Sequence, residues 1–324
     1  MSDPNPNPPL PSDERWARET LTKVALAAVT EQRRARRWSI FFKLLFFGYL
    51  VTLLILAWPN TFSASTATAK KHTALVRVDG LIASGAEANA KDLIEALRKA
   101  FKDEKTAGVV IEINSPGGSP VQAGEVYDEI QKLRQEYPKM PVHAVASDVC
   151  ASGGYYIAAA AQNIYANKAS IVGSIGVRMD SFGFTDAIAK LGVERRAYTA
   201  GSNKDFLDPF KPVNPAEVAH LQGMLGAIHQ QFITAVKQSR GTRLKDDPDV
   251  FSGLMWTGEQ SVALGLVDAL GNARYVAETV IGEKNLQDYT KRTRWMDRLL
   301  DSTQTRLGAV LLQGLGLDGT VQWR

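Results

Sequence analysis

A single cysteine, Cys150, stands in 324 residues. No internal disulfide can brace the fold, and cysteine usage leaves the compartment open. Histidine is scarce too, with four in the chain, which leaves few bases for a Ser-His-Asp triad. Charge of one sign is lacking: 38 Lys and Arg against 34 Asp and Glu give a net +4, too mild to argue for nucleic-acid binding. No internal repeat is present, and the composition is otherwise that of a globular protein. The length allows a core of roughly 200 residues plus appendages.

One apolar run is long. Trp38 to Trp58 carries a single charge, Lys43, near enough to one edge to snorkel. That length crosses the roughly 30 Å hydrocarbon core, and a tryptophan marks each end. Before it, Met1–Pro11 is too rich in Pro and Asn to pack, and Ser12–Ala35 has helical spacing at Trp16, Leu21, Val24, Leu26 and Val29. Arg33, Arg34, Arg36 and Arg37 then hold the N-terminus in the cytoplasm. A cleaved signal peptide has a shorter apolar run and its charges near the chain start, although Ala64–Ala67 resembles a cleavage site. The expectation is a single-pass protein of a bacterial inner membrane: cytoplasmic tail 1–37, transmembrane helix 38–58, tether 59–72, and a periplasmic domain 73–281.

From Thr73 on, strand and helix patterns alternate, which argues for an α/β core. Strands are expected at Thr73–Gly80, Gly108–Asn114, Val142–Ser147, Ile164–Ala166, Ile171–Val177 and Val193–Tyr198. Helices are expected at Asn89–Phe101, Gln122–Tyr137, from Gly154, near Asp186–Leu191, and at Tyr275–Ile281. The best-signalled helix follows an irregular loop, Thr199–Val213. Asn214 is its N-cap, Pro215 its first residue, Glu217 its N3 residue and Gly241 its stop. Val218, Leu221, Leu225, Ile228, Phe232 and Val236 form its apolar stripe. Residues 282–324 read as a C-terminal tail, with Trp295, Leu299 and Leu307 at amphipathic spacing.

The chemistry gathers around Ser152. Val142–Ser147 reads as a buried strand and the alanines after Gly154 as a helix, with Gly153 and Gly154 allowing a sharp corner between. Such a corner exposes a nucleophile, though Ala-Ser-Gly-Gly departs from the Gly-x-Ser-x-Gly elbow; the plain alternative is a serine in a tight turn. Cys150 fits a small buried residue better than a nucleophile. In Asn114–Ser119, Pro-Gly-Gly at a strand end can turn backbone N–H groups toward an anion, as an oxyanion hole requires; a plain Pro-Gly turn is the alternative. Gly118→Ala is then expected to slow turnover without unfolding the domain. Ser174 is a second glycine-flanked serine at a strand end. For a base, His72 lies in the tether, His143 in a strand, and His220 and His229 on the long helix, none placed for a triad. A Ser-Lys dyad needs a neutral lysine, moved from about 10.4 toward 7 by apolar burial. Lys204, with Phe206 and Phe210 nearby, is one such lysine among many.

Asn114–Gly118, Ala151–Tyr156, Gly173–Val177, Lys204 with Pro209-Phe210, Trp256–Gly258 and Gly265–Asp268 occur in this order. Together they resemble the bacterial signal peptide peptidase family in its short, membrane-anchored form, from about Leu75 to Ile281. The resemblance implies a ClpP/crotonase-like α/β spiral behind one transmembrane helix. It implies Ser152 as nucleophile, Lys204 as general base, Gly118 and Gly153 as oxyanion amides and Ser174 as the hydroxyl orienting the lysine. It implies no cofactor or metal, no nucleic acid, assembly into homo-oligomeric rings, and cleavage of remnant signal peptides and other short or unfolded apolar peptides. Gly253–Trp256 departs from the family, which often has a basic residue after the glycine. A crotonase-like acyl-CoA enzyme and a non-catalytic membrane scaffold are the alternatives.

Overall fold

The computed structural model describes residues 12–57 and 70–291, in two units. The first is one helix, α1 (Ser12–Ala57), of 46 residues, so the amphipathic stretch and the apolar run join without a break at the arginines. Among the described residues no helix is long and apolar enough to cross a membrane. The side chains of 53–58, which complete the expected span, lie outside the described ones, as do 1–11, the tether to 69 and the amphipathic tail beyond 291.

The second unit is a mixed α/β domain. Its chain runs β1 (His72–Asp79), α2 (Ala90–Lys102), β2 (Thr106–Ser115), α3 (Pro120–Glu136), β3 (Val142–Ala151) and α4 (Gly153–Ala158). Then come β4 (Asn163–Ala166), β5 (Ile171–Gly173), α5 (Thr185–Lys190), α6 (Pro215–Arg240), β6 (Met255–Thr257), α7 (Gly258–Ala263), β7 (Ala269–Leu270), α8 (Ala273–Tyr275, widening to a π-turn over Val276–Ile281) and β8 (Leu286–Asp288). The sheet order is β6-β5-β3-β2-β1-β8, with β4 between β3 and β7; only the β5–β6 pair is antiparallel. Both faces are covered, so the central strands are apolar almost throughout. Val76, Ile111, Ala144 and their alternates face α2, α3 and α4, while Leu75, Val110 and Val145 pack with Ala273 and Val276.

The domain turns on β3. Its first half pairs with β4, from His143 to Ala146, and its last three residues pair with β5. Against β2 the register slips between Ile113↔Ala146 and Ser115↔Cys150. Ser170 fills the kink, its Oγ donating to the carbonyls of Ala146 and Ser147. One strand thus changes neighbour along its length, from β4 to β5, and its C-terminus carries Ser152.

Several expectations need correction. His72 is the first residue of β1 and buried, not part of the tether. Residues 193–198 form no strand: all are exposed and none has a strand partner. The helix after Ser152 stops at Ala158, and Ala159–Ala161 are buried turn residues. On α6 only the second half is buried, at Phe232, Ala235, Val236 and Arg240; the stripe from Val218 to Ile228 is half-exposed. Asn214 caps α6 by accepting from the Ala216 N–H, but Glu217 closes no capping box and instead accepts from the Leu207 N–H. The stretch read as tail opens with β8, parallel to β1.

Candidate active site

Parallel strands of α/β sheets bring ligands to their carboxyl ends, and Ser152, Ser174, Gly118 and Gly153 collect there. Ser152 follows β3 with φ 51° and ψ −122°. Such backbone costs a non-glycine residue about 1–3 kcal/mol and persists only where neighbours enforce it. Here the Ser152 N–H donates to the Gly173 carbonyl at 2.9 Å, and its own carbonyl accepts from the Tyr156 N–H at 2.9 Å. The helix behind is pinned by Tyr155, fully buried, whose hydroxyl donates to the Leu266 carbonyl. A strained corner held this rigidly presents the Ser152 hydroxyl, half-exposed, at a fixed place.

The β2 turn closes on the same point. Ser115 accepts from the Gly117 N–H and donates to the Gly80 carbonyl, which ties the turn to β1. A Cβ on Gly117 would stand 2.6 Å from Ser152 Cβ and 2.8 Å from the Gly153 nitrogen. One on Gly118 would stand 2.1 Å from the Ile82 carbonyl oxygen. That corrects the Gly118→Ala expectation, since the methyl meets backbone and must disturb the loop. Among the described residues neither the Gly118 nor the Gly153 N–H has a backbone acceptor. Two unpaired amides beside a hydroxyl are what an oxyanion site requires. Gly118, Ser152 and Gly153 line one cleft of about 410 Å³, walled by α3 and by Ile228, Gln231 and Phe232 of α6.

Ser174 belongs to the same corner. Ala151 pairs with Gly173, so Ser152 and Ser174 are each one residue past a paired position, and both have positive φ. Cys150 is fully buried and burial pushes its thiol far up, which removes it as a nucleophile.

Lys204 is not in this cleft. It sits in an exposed turn, its N–H bonded to the Gly201 carbonyl. The aromatics around it do not bury it: Phe206 meets the ring of His220 edge-on and Phe210 packs with Phe184 under the Arg195 guanidinium. His220 lies eight residues along α6 from Ile228, about 12 Å at the helical rise. One chain therefore brings Ser152, Ser174, Gly118 and Gly153 together without Lys204. No histidine lines the cleft, although His229 comes near it, meeting the carbonyl between Ser174 and the cleft-lining Gly176. His72 contacts the Tyr289 hydroxyl at 2.9 Å, His229 the Ile175 carbonyl at 3.0 Å, and His143 is buried against Tyr165.

Two features escaped the sequence reading. The α3 wall was legible only as a helix, since nothing in Pro120–Asp128 marks it as facing a serine. Asp268 accepts bidentately from Arg240, whose side chain is fully buried, and also from Arg243 and the Ile164 N–H. Its place in Gly265–Asp268 was the available signal. Burial works to raise its pKa, but those bonds and charges outweigh it and hold the carboxyl below the usual range.

The profile of peptidase family S49 matches residues 134–287. A Synechocystis protein, "Putative protease slr0021", is 32% identical over 272 residues, covering 82% of this chain and 94% of that one. A "Putative signal peptide peptidase SppA" of Enterococcus faecium is 28% identical over 228 residues, 68% of this chain and 66% of that one. A Brucella abortus protein named "Na(+)/H(+) antiporter NhaA" is 46% identical over 215 residues, 65% of this chain but only 29% of its own length. This chain thus spans under a third of that protein, and the transporter name describes the relative. The match that runs almost end to end through a protease, together with the family profile over 134–287, makes the chain a member of peptidase family S49, the SppA-type serine peptidases.

Proposed function

We propose that the chain is an endopeptidase in which Ser152 attacks the peptide carbonyl and the Gly118 and Gly153 amides hold the oxyanion. The observation that carries this is the strained Ser152 corner with two unpaired amides in one cleft. Lys204 takes the serine proton, and Ser174 orients the lysine. Because Lys204 stands away from the cleft of its own chain, the lysine comes from a neighbouring copy in a homo-oligomer. The exposed arm from Arg178 to Ala227 supports that assembly. Phe182, Leu191, Tyr198 and Val213 on it are largely exposed, apolar side chains that a second copy would cover.

The substrates are short apolar peptides, remnant signal peptides among them. The cleft is apolar beside Ser152 and carries Glu125 and Asp128 farther along α3, which suits a peptide whose apolar stretch is flanked by basic residues. The apolar run from Trp38 to Trp58 anchors the chain in a bacterial inner membrane, with the peptidase domain on the periplasmic side.

A serine-acylating probe tests the dyad. Ser152 should be marked in the wild type and unmarked in Ser152→Ala and Lys204→Ala. Mixing the two inactive variants should restore part of the activity, because a subunit carrying Ser152→Ala still lends its lysine to the intact serine of a neighbour. No recovery in a mixture shown to co-assemble rules out the shared site, and Lys204→Ala with undiminished turnover rules out the base.

A further inference from the structure

Helix α3 carries a glycine in its interior, Gly124, where glycine is less stable than alanine. Neither usual reason for a glycine applies. Its φ is not in the left-handed region, unlike those of Gly117 and Gly118. Among the described residues nothing lies within 4 Å of where its Cβ would stand, so none of them needs the space. A local rule broken without structural compensation marks a functional position. The open space in front of Gly124 is the cleft that holds Ser152. The other open helix glycines of the domain, Gly223 and Gly226 of α6, are exposed and outside that cleft.

The surroundings define what the space admits. Val121, one turn back on α3, Ile228 on α6 and Val177 supply aliphatic walls. Tyr156 and Phe232 close the cleft as stacked rings, centroids 4.8 Å apart, and Tyr127 backs Tyr156 at 5.2 Å. Phe232 is buried and Tyr156 half-buried, so this wall is supported from behind. The aromatic wall is supported from behind, and a side chain at position 124 would narrow the opening that faces it.

We propose that Gly124 sets the size of the substrate side chain beside the scissile bond, its missing Cβ leaving room for one large apolar side chain of Leu or Phe size. The inference rests on the reading of Ser152 as a peptidase nucleophile. A Cβ or a longer group at 124 projects into the groove and competes with that side chain, while a substrate alanine does not reach it. Gly124 acts by leaving space, so it is a specificity position and not a catalytic residue.

The test uses the full chain with Gly124→Ala and Gly124→Leu, and two peptides differing only by Leu or Ala before the scissile bond. The Leu-to-Ala ratio of kcat/KM should fall on the order of 10- to 100-fold in Gly124→Leu, the range for a side chain lost from a fitted pocket. Gly124→Ala should fall between it and the wild type, and carries the test if the leucine variant does not fold. A pair of fluorophosphonates, one with a small and one with a bulky apolar group, should show the same change of ratio in labelling Ser152. The melting temperature of Gly124→Ala should match or exceed the wild type. An unchanged ratio in the folded variants overturns the proposal, and so does a lower melting temperature for Gly124→Ala, which would give the glycine a structural reason. A wild type that neither reagent labels removes the peptidase reading and this inference with it; that failure is distinct because it appears before any change at 124.

Discussion

At the scale of single residues the corner at Ser152 depends on atoms that are absent. Gly117 and Gly118 carry no Cβ because Ser152, the Gly153 nitrogen and the Ile82 carbonyl occupy those places. Their φ values of 99° and 149° are costly for any L side chain. Gly117→Ala and Gly118→Ala should therefore each lose activity and also about 2 kcal/mol or more of stability. Melting curves should drop by several degrees, whereas the exposed Pro116→Ala should leave them nearly unchanged. Equal melting curves for Gly117→Ala and the wild type would mean that the turn does not press on Ser152 as described.

At the scale of elements, β3 and the segment after α7 hold the domain through charges and one buried histidine. Asp268 ties Arg240 of α6 to the start of β4, and removing one partner of a buried pair costs about 3–5 kcal/mol. Asp268→Asn should therefore lower the unfolding free energy by roughly that amount in denaturant titrations. Because its folded pKa is depressed, this carboxylate's contribution is present above its unfolded pKa of about 3.9 and is lost as pH falls through the folded value. The acid limb of stability should be shallower in the variant. His143, on β3, works over a different range. Burial lowers its pKa, its Nδ1 has no partner among the described residues, and Tyr165 packs against it edge-on. The unfolded chain then takes up the proton first, so stability should fall as pH drops below about 6.5 toward the depressed value. His143→Phe keeps an aromatic ring and should flatten the stability profile from about pH 6.5 down toward that depressed value. An undiminished slope would assign that acid sensitivity to other groups.

At the scale of the whole molecule the exposed arm decides whether one copy can work alone. If it packs against a second copy and delivers Lys204, Phe182→Asp should shift the mass in solution toward the monomer. The same change should cut activity, although Phe182 is absent from the Ser152 cleft. A fully active monomer would separate assembly from catalysis. The membrane reading has its own check: a reporter that works only in the periplasm, fused after Lys71, should be active, and a cytoplasmic one silent.

Features that depend on neighbours along the chain could be read before any fold was known. The cap at Asn214, the alternation of apolar strand and helix, and the glycine turns at 117–118 and 153–154 were legible because they obey local stereochemistry. So were Ser152 and the two amide positions, each at the end of a strand pattern. Features that depend on distant packing were not. A strand for 193–198 failed because an edge needs a partner strand that the fold does not offer there. The stripe of α6 was readable, but only its second half meets the core. Three-residue β8 carries too short a pattern to outweigh its place after the last helix, and pairing with β1 makes it a strand. No local rule sets the distance between Lys204 and Ser152, which are far apart along the chain. Packing keeps them separate within one copy, because the loop of Lys204 is held by Glu217 and His220 in the first turns of α6 while the cleft of Ser152 meets the middle of that helix.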